Sequence, residues 1–258
     1  MKKMKGVILG GGLGTRLRPL TNTRNKHTLL IAGRPMIEYP IVRLVCEGIT
    51  DIAICLNGPY GHQVEEVVGD GQDLKCKVQY FYDKNNVVGG PGYSLAEASE
   101  WCERDNGDIV VLFGDGIFFS PLGLMEHRGP HMLLMNLPPG GADDPSKYAQ
   151  ARVEGERVLE LVEKPKQLVS TLVQAGAFIF PPSVFSVIDQ IKRKTPPGCE
   201  IGMTEINQWY ASKGSLTFTR INQGDYIDCG TPDALREAEE RVELLRIQQK
   251  YRHLGCNF

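Results

Sequence analysis

KGVILGGGLGTRLRPLTNTRNKHTLLI, residues 5–31, is the stretch around which the chain is organised. Val7, Ile8 and Leu9 form a short apolar run that reads as a strand. Gly10, Gly11, Gly12 and Gly14 follow at once, then Thr15, Arg16 and Arg18. Glycine lets a backbone pass close to a ligand and adopt positive φ. Successive N–H groups that face one way make a cradle for an anion. An arginine beside such a cradle points to a polyphosphate, and Lys26 is a second candidate cation. Two familiar glycine patterns fail here. No Lys-Ser or Lys-Thr follows the glycines, so this is not the P-loop of G-x-x-x-x-G-K-[ST]. Counting from Gly10 or Gly12, the third position of G-x-G-x-x-G falls on Thr15 or Leu17, and Pro19 opposes an immediate helix, which argues against a nicotinamide dinucleotide.

Outward from this loop, strand and helix signals alternate. Met36–Glu47 carries apolar residues at helical spacing, and Asp51–Leu56, Val78–Tyr82 and Ile109–Phe113 read as strands. His62–Val68 and Ser94–Glu103 read as helices between them. Continuous apolar strands fit burial on both faces of a parallel sheet. Further on, Met132–Leu137, Ala149–Glu154, Val158–Val162, Ala177–Phe180 and Leu216–Ile221 are strand candidates with fewer helices between them. The expected fold is therefore α/β: a doubly wound, mostly parallel mixed sheet with helices on both faces. Pro182–Lys192 and Thr204–Ser212 are further helix candidates, and a long helix capped by Thr231 with Pro232 at its first position closes the chain. That helix packs either on a second subunit, as in a dimer or tetramer, or on its own sheet.

The expected organisation is one domain over 1–258: a nucleotide-binding half to about residue 130, a second half to about 230, and the helix 231–253. At 258 residues the chain has room for this. A net charge of −2 offers no electrostatic reason for nucleic acid, and the apolar runs are too short to cross a membrane. The start, MKKMKGVILGGG, does not continue as a signal peptide would. Seven widely spread cysteines without a C-x-x-C pair suit reduced thiols in a cytoplasmic protein. His127 and His131 have helical spacing, but Gly129-Pro130 breaks any helix between them, so no zinc site is expected.

Leu9–Leu17, LGGGLGTRL, closely resembles the signature loop of sugar-1-phosphate nucleotidylyltransferases, and within that family the chain is most similar to glucose-1-phosphate thymidylyltransferases. The match continues in order along nearly the whole chain. Lys26 stands in a K-x-L-L-P position with Arg34-Pro35-Met36 behind it. Gly114-Asp115-Gly116 resembles G-D-N, and Glu163-Lys164-Pro165 matches E-K-P. Ala175-Gly176 precedes Phe178-Ile179-Phe180 as in A-G-x-x-x-F, Gly198 to Asn207 resembles G-E-x-x-I-T-D-x-N, and Tyr226 to Pro232 resembles W-x-D-x-G-T-P. The departures are Gly116 for Asn, Leu30 for Pro, Gly202 for a second acid, and Ala149 for a Gly near the sugar. The segment from Asp83 to Leu95 is longer than the usual base-reading loop, and its D-K-N-N…G-Y-S-L wording looks more like cytidylyltransferases.

The resemblance implies a Rossmann-like fold of the nucleotide-diphospho-sugar transferase type. It also implies a reaction in which a sugar 1-phosphate, with glucose 1-phosphate favoured, attacks the α-phosphorus of a nucleoside triphosphate, with dTTP or UTP favoured. Alternatives are cytidylyl or guanylyl transfer to another phosphate-bearing substrate, or a silent regulatory homologue. Leu9, Gly11, Gly12, Gly14, Thr15, Asp83 and Ser94 are then expected to bind the nucleotide. Arg16 and Lys26 are expected to be catalytic, and Lys164, Glu163, Gly176 and Glu200 to bind the sugar phosphate. Asp115 and Asp228 offer hard carboxylate oxygens for a shared Mg2+. No Ser-His or Cys-His pair demands a covalent intermediate.

Overall fold

The computed structural model describes residues 4–83, 90–138 and 144–252, the last four by backbone alone. The strands are β1 (Lys5–Leu9), β2 (Leu30–Ile31), β3 (Arg34–Pro35), β4 (Asp51–Leu56), β5 (Lys77–Tyr82), β6 (Ile109–Phe113), β7 (Gly116–Phe118), β8 (His131–Asn136), β9 (Gln150–Glu154), β10 (Arg157–Val162), β11 (Leu172–Phe180), β12 (Thr217–Arg220) and β13 (Tyr226–Asp228). The helices are α1 (Glu38–Cys46), α2 (His62–Val68), α3 (Gly90–Ala96), α4 (Ser99–Glu103), α5 (Val184–Lys192), α6 (Met203–Ser212) and α7 (Pro232–Arg252).

Nine strands form one sheet in the order β5-β4-β1-β6-β11-β8-β12-β10-β9. The first four are mutually parallel, with β1 between β4 and β6. The chain moves from β1 outward to β4 and β5 and then returns to lay β6 on the other flank of β1. The point where the winding reverses, between the carboxyl ends of β1 and β6, is where open α/β sheets leave a crevice for a ligand. Both candidate motifs emerge there: the glycine loop after Leu9, and Gly114-Asp115 after Phe113.

The second half departs from the expected mostly parallel sheet. Beyond β6, among the described residues only β8 and β12 pair in parallel; β11 is antiparallel to β6 and β8, and β10 is antiparallel to β12 and β9. β9 also returns to pair with β11 through Val173 and Gln150, which closes β11, β8, β12, β10 and β9 into a five-stranded ring. With few helices between these strands, short connections favour antiparallel neighbours, because a parallel return needs a long crossover.

Alternation along the strands supplies two cores. Val7, Leu9, Ala53, Cys55, Ile109 and Val111 face Leu95, Trp101 and Cys102 of α3 and α4, and the apolar sides of α5 and α6. Ile8, Ile52, Ile54, Val110 and Leu112 face Ile41 and Leu44 of α1, and Val64 and Val68 of α2. A third cluster lies beneath the glycine loop, where Leu17, Leu29 and Met36 pack with Ile117, Ile227, Cys229 and Ala238. α7 thus contacts its own chain through its first turns, while Leu244, Leu245 and Ile247 further along remain exposed. The expected single helix at Ser94–Glu103 is instead two, α3 and α4. α3 starts four residues earlier because Pro91 in a first turn costs no intrahelical hydrogen bond.

Two buried histidines tie stability to pH. His131 hydrogen-bonds Thr217 (2.7 Å) and Thr219 (3.1 Å) and stacks on His127 at 4.0 Å, while the His27 ring bonds Asn25 at 2.9 Å. Burial lowers His131 to about 4, helped by His127. Burial also lowers His27 to about 3, with Lys26 adding to the effect. Unfolding returns each to about 6.5, so the unfolded chain binds more protons below that pH. The contribution is complete above pH 6.5 and is lost as pH falls toward 4. For His131 alone the loss is roughly 2–3 kcal/mol. Urea midpoints measured from pH 7.5 to pH 4 are expected to fall through this window and to fall less steeply in His131→Gln; a flat profile contradicts it.

Candidate active site

The loop that leaves β1 is shaped by its glycines and by what it wraps. Gly12 has φ of +104°, a backbone that side-chain-bearing residues rarely adopt. A Cβ on Gly12 would lie 3.8 Å from Lys26 Nζ, so the loop folds directly over that lysine. Lys26 sits in a short 3-10 turn begun by Asn25, whose side chain accepts from the His27 N–H at 2.9 Å. From there Lys26 Nζ reaches Asp115 Oδ2 at 2.5 Å, with both side chains mostly buried. Two residues 89 apart in sequence therefore meet under the glycines.

Asp228 is brought beside Asp115 by an element too short to read in the sequence. β13 pairs antiparallel with β7, placing Asp228 opposite Gly116, and the Cys229 N–H donates to the Asp115 carbonyl at 2.9 Å. The two carboxyls respond in opposite directions. Burial would raise Asp115, but the Lys26 ammonium, aided by His27, holds it below the usual carboxylate range. Asp228 is exposed at its surface, yet desolvation by its dense surroundings and then the Asp115 charge push it above that range. Such a pair, with one lysine between two acids, favours the arrival of further positive charge. Arg16 stands close by: its guanidinium lies against Gly230, where a Cβ would come within 2.5 Å of Nη2 and 2.9 Å of Asp228 Oδ1.

Lys26, Asp115 and Asp228 share one cavity of about 460 Å³, and Arg16 is not among the residues that line it. Leu9, Gly11, Gly12, Leu13, Thr15 and Lys26 form its loop side, and Phe113, Asp115 and Asp228 its floor. Asn57, Gly58, Gly90, Pro91, Ser94 and Glu200 complete the wall. The volume is within the range usual for small-molecule sites. Of the residues singled out in the sequence, Leu9, Gly11, Gly12, Thr15, Lys26, Ser94, Asp115, Glu200 and Asp228 line it.

The others stand elsewhere. Gly14 packs on Lys26 and Thr21, and Asp83 is buried at the end of β5. Glu163 accepts from the Thr204 hydroxyl and pairs at 3.4 Å with Lys164, whose side chain is largely exposed. Gly176 does not line the cavity. Its N–H bonds the buried Tyr226 hydroxyl, and a Cβ there would meet that oxygen at 2.5 Å. The same tyrosine accounts for the departure at Gly116, where a Cβ would lie 2.7 Å from the Tyr226 ring. The ring fills space that a side chain at 116 would need. Of the expected base-reading segment after Asp83, residues 84–89 lie outside the described residues.

Sequence reading missed Asn57 in the wall and Phe113 in the floor. Asn57 opens an Asn-Gly-Pro turn and was legible only as a turn. Among the described residues there is no group of three or more His, Cys, Asp or Glu that could hold a metal, and no helix long and apolar enough to cross a membrane.

Comparison with known proteins matches this arrangement to a family. The model of the nucleotidyl transferase family matches residues 5–244. A low-salt glycan biosynthesis nucleotidyltransferase of Haloferax volcanii is 30% identical over 244 residues, covering 93% of this chain and 66% of that protein, just under two thirds of its length. A glucose-1-phosphate thymidylyltransferase of Mycolicibacterium smegmatis is 29% identical over 255 residues, covering 95% and 84%. A solved structure from Bacillus anthracis, described as a glucose-1-phosphate thymidylyltransferase in complex with sucrose, superposes with a TM-score of 0.81 at 30% identity, covering 92% of this chain and 94% of that one. A UDP-glucose pyrophosphorylase without ligand, at 20% identity and a TM-score of 0.77, shares the fold.

Proposed function

Because this chain belongs to the nucleotidyl transferase family, we propose that it joins a nucleoside triphosphate to a sugar 1-phosphate and releases pyrophosphate. We favour dTTP or UTP and glucose 1-phosphate as the reactants. The observation that carries this reading is the glycine loop folded over the Lys26–Asp115 pair, with Asp228 and Arg16 beside it, at the reversal point of the sheet. The relatives named as glucose-1-phosphate thymidylyltransferases support the choice of reactants.

Both reactants are polyanions, so positioning and charge stabilisation must supply most of the catalysis. Gly11, Gly12, Gly14 and Thr15 cradle the triphosphate. Arg16 neutralises charge growing on the leaving pyrophosphate, and Lys26 steadies the α-phosphate. The sugar-phosphate oxygen attacks the α-phosphorus and the bond to the β-phosphate oxygen breaks, without a covalent enzyme intermediate. Glu200 on the cavity wall, with Glu163 and Lys164 outside it, receives the sugar phosphate, and Gly176 acts through the Tyr226 hydroxyl it bonds. Asp83 and Ser94 stand toward the base. The paired acids fit a hard divalent cation, since burial first and the Asp115 carboxylate second hold Asp228 above its usual range, and the nearby Lys26 and Arg16 only partly offset them. Asp115 and Asp228 would hold Mg2+, which supplies charge neutralisation between the reacting phosphates when bound. We read the chain as a single cytoplasmic transferase unit.

Pyrophosphate release measured with dTTP, UTP, CTP and GTP against a panel of sugar phosphates tests the assignment. The expected result is the highest kcat/KM for dTTP or UTP with glucose 1-phosphate. CTP or GTP leading the panel would overturn the base. Release with none of the pairs, with nucleotide-sugar binding retained, would make the chain a silent binding homologue.

A further inference from the structure

The glycine loop does not hold itself in place. Its Gly12 N–H, which would otherwise face the cavity as part of the cradle, donates to Asn57 Oδ1 at 2.7 Å. Asn57 follows directly after β4 and lines the same cavity. Its amide lies flat on the loop: a Cβ on Gly11 would come within 2.6–2.7 Å of Asn57 Nδ2, Cγ and Oδ1. The other end of the amide points at the buried Ser94 hydroxyl, with Nδ2 to Oγ at 3.5 Å. One side chain therefore bridges the phosphate side of the cavity and α3. Gly10 is anchored independently, its N–H bonded to the Cys55 carbonyl at 2.8 Å. Asn57 thus acts at the first residues free to swing.

We propose that Asn57 is a positioning residue that sets the glycine loop in its triphosphate-receiving conformation; this rests on the nucleotidyl-transfer reading of the cavity. Asn57 spends one backbone donor of the loop to fix the direction of those that follow. Gly11 is then glycine because the amide occupies its Cβ space. A loop freed from this bond populates the receiving conformation only part of the time, and apparent affinity falls by that fraction.

The test compares wild type, Asn57→Ala, Gly11→Ala and the double variant. Asn57→Ala is expected to raise the KM for the triphosphate by about 10-fold, as when a tenth of the population is competent. The KM for the sugar phosphate is expected to stay within about twofold, a split that general destabilisation would not produce. Gly11→Ala drives the amide away and should reproduce the defect. In the double variant the methyl occupies the vacated space, so the losses should not add. Unchanged triphosphate KM in Asn57→Ala overturns the role, and so do additive losses in the double variant. Asn57→Ser, which is too short to reach Gly12, serves if Asn57→Ala does not fold. Thermal shift on adding triphosphate needs no turnover and should be smaller in Asn57→Ala than in wild type; an equal shift overturns the role. A wild type that releases no pyrophosphate while the shifts differ would instead remove the nucleotidyl-transfer reading and leave Asn57 as a nucleotide-site residue.

Discussion

Arg16→Ala is expected to lower turnover by about 10²–10³-fold, the cost of removing one stabiliser of transition-state charge, or about 2.7–4 kcal/mol. The side chain is exposed and rests on Gly230 beside Asp228, so its loss should leave the melting temperature nearly unchanged. Lys26→Ala is expected to lose as much turnover and also stability. It strips Asp115 of its 2.5 Å partner and leaves two neighbouring acids with less positive charge between them. A buried charged group left without its partner costs roughly 1–3 kcal/mol or more. Single-turnover rates together with thermal melts separate the two effects. Either variant with near wild-type turnover contradicts the role given to that residue.

The second large effect concerns the acids. Asp115→Asn and Asp228→Asn are each expected to raise the Mg2+ concentration needed for half-maximal rate by at least about 10- to 100-fold, since even residues that only orient a metal ligand commonly carry that much. Chelation of divalent cations is expected to abolish turnover in wild type. The two variants should differ in one respect. Asp115 holds Lys26, so its replacement also frees that lysine, whereas replacing Asp228 removes a carboxyl that burial and then the Asp115 charge hold above the usual range. Asp228→Asn should therefore preserve stability better than Asp115→Asn. Metal titrations of rate, read beside melting curves, decide the matter. An unchanged Mg2+ dependence in both variants would remove the shared site.

The parallel half of the fold was legible because its strands are continuous apolar runs punctuated by helices: Asp51–Leu56, His62–Val68 and Ile109–Phe113 stand at the expected bounds. The closing of the second half into a ring was not legible. It depends on β9 reaching β11 through the single pair Gln150 and Val173, and no local pattern encodes such a partner. The three-residue strands β7 and β13 were missed for a related reason, being too short to show a period. They are what set Asp115 beside Asp228. The motifs around Gly11, Lys26, Asp115 and Asp228 named residues that share one cavity, although spacing alone could not say that Lys26 pairs with Asp115. Glu163, Lys164 and Gly176 were named by their motifs but stand outside that cavity, with Gly176 turned against Tyr226. Asn57 carried no motif, because its importance lies in a hydrogen bond to a residue 45 positions away.

The most direct measurement of the account is product analysis by phosphorus NMR on the purified chain with triphosphate, sugar 1-phosphate and Mg2+. The expected result is pyrophosphate and a nucleotide-sugar diphosphate appearing in equal amounts, only when both substrates are present, and neither appearing with Lys26→Ala. Pyrophosphate formed without sugar phosphate, or product formed at an undiminished rate by Lys26→Ala, would contradict it.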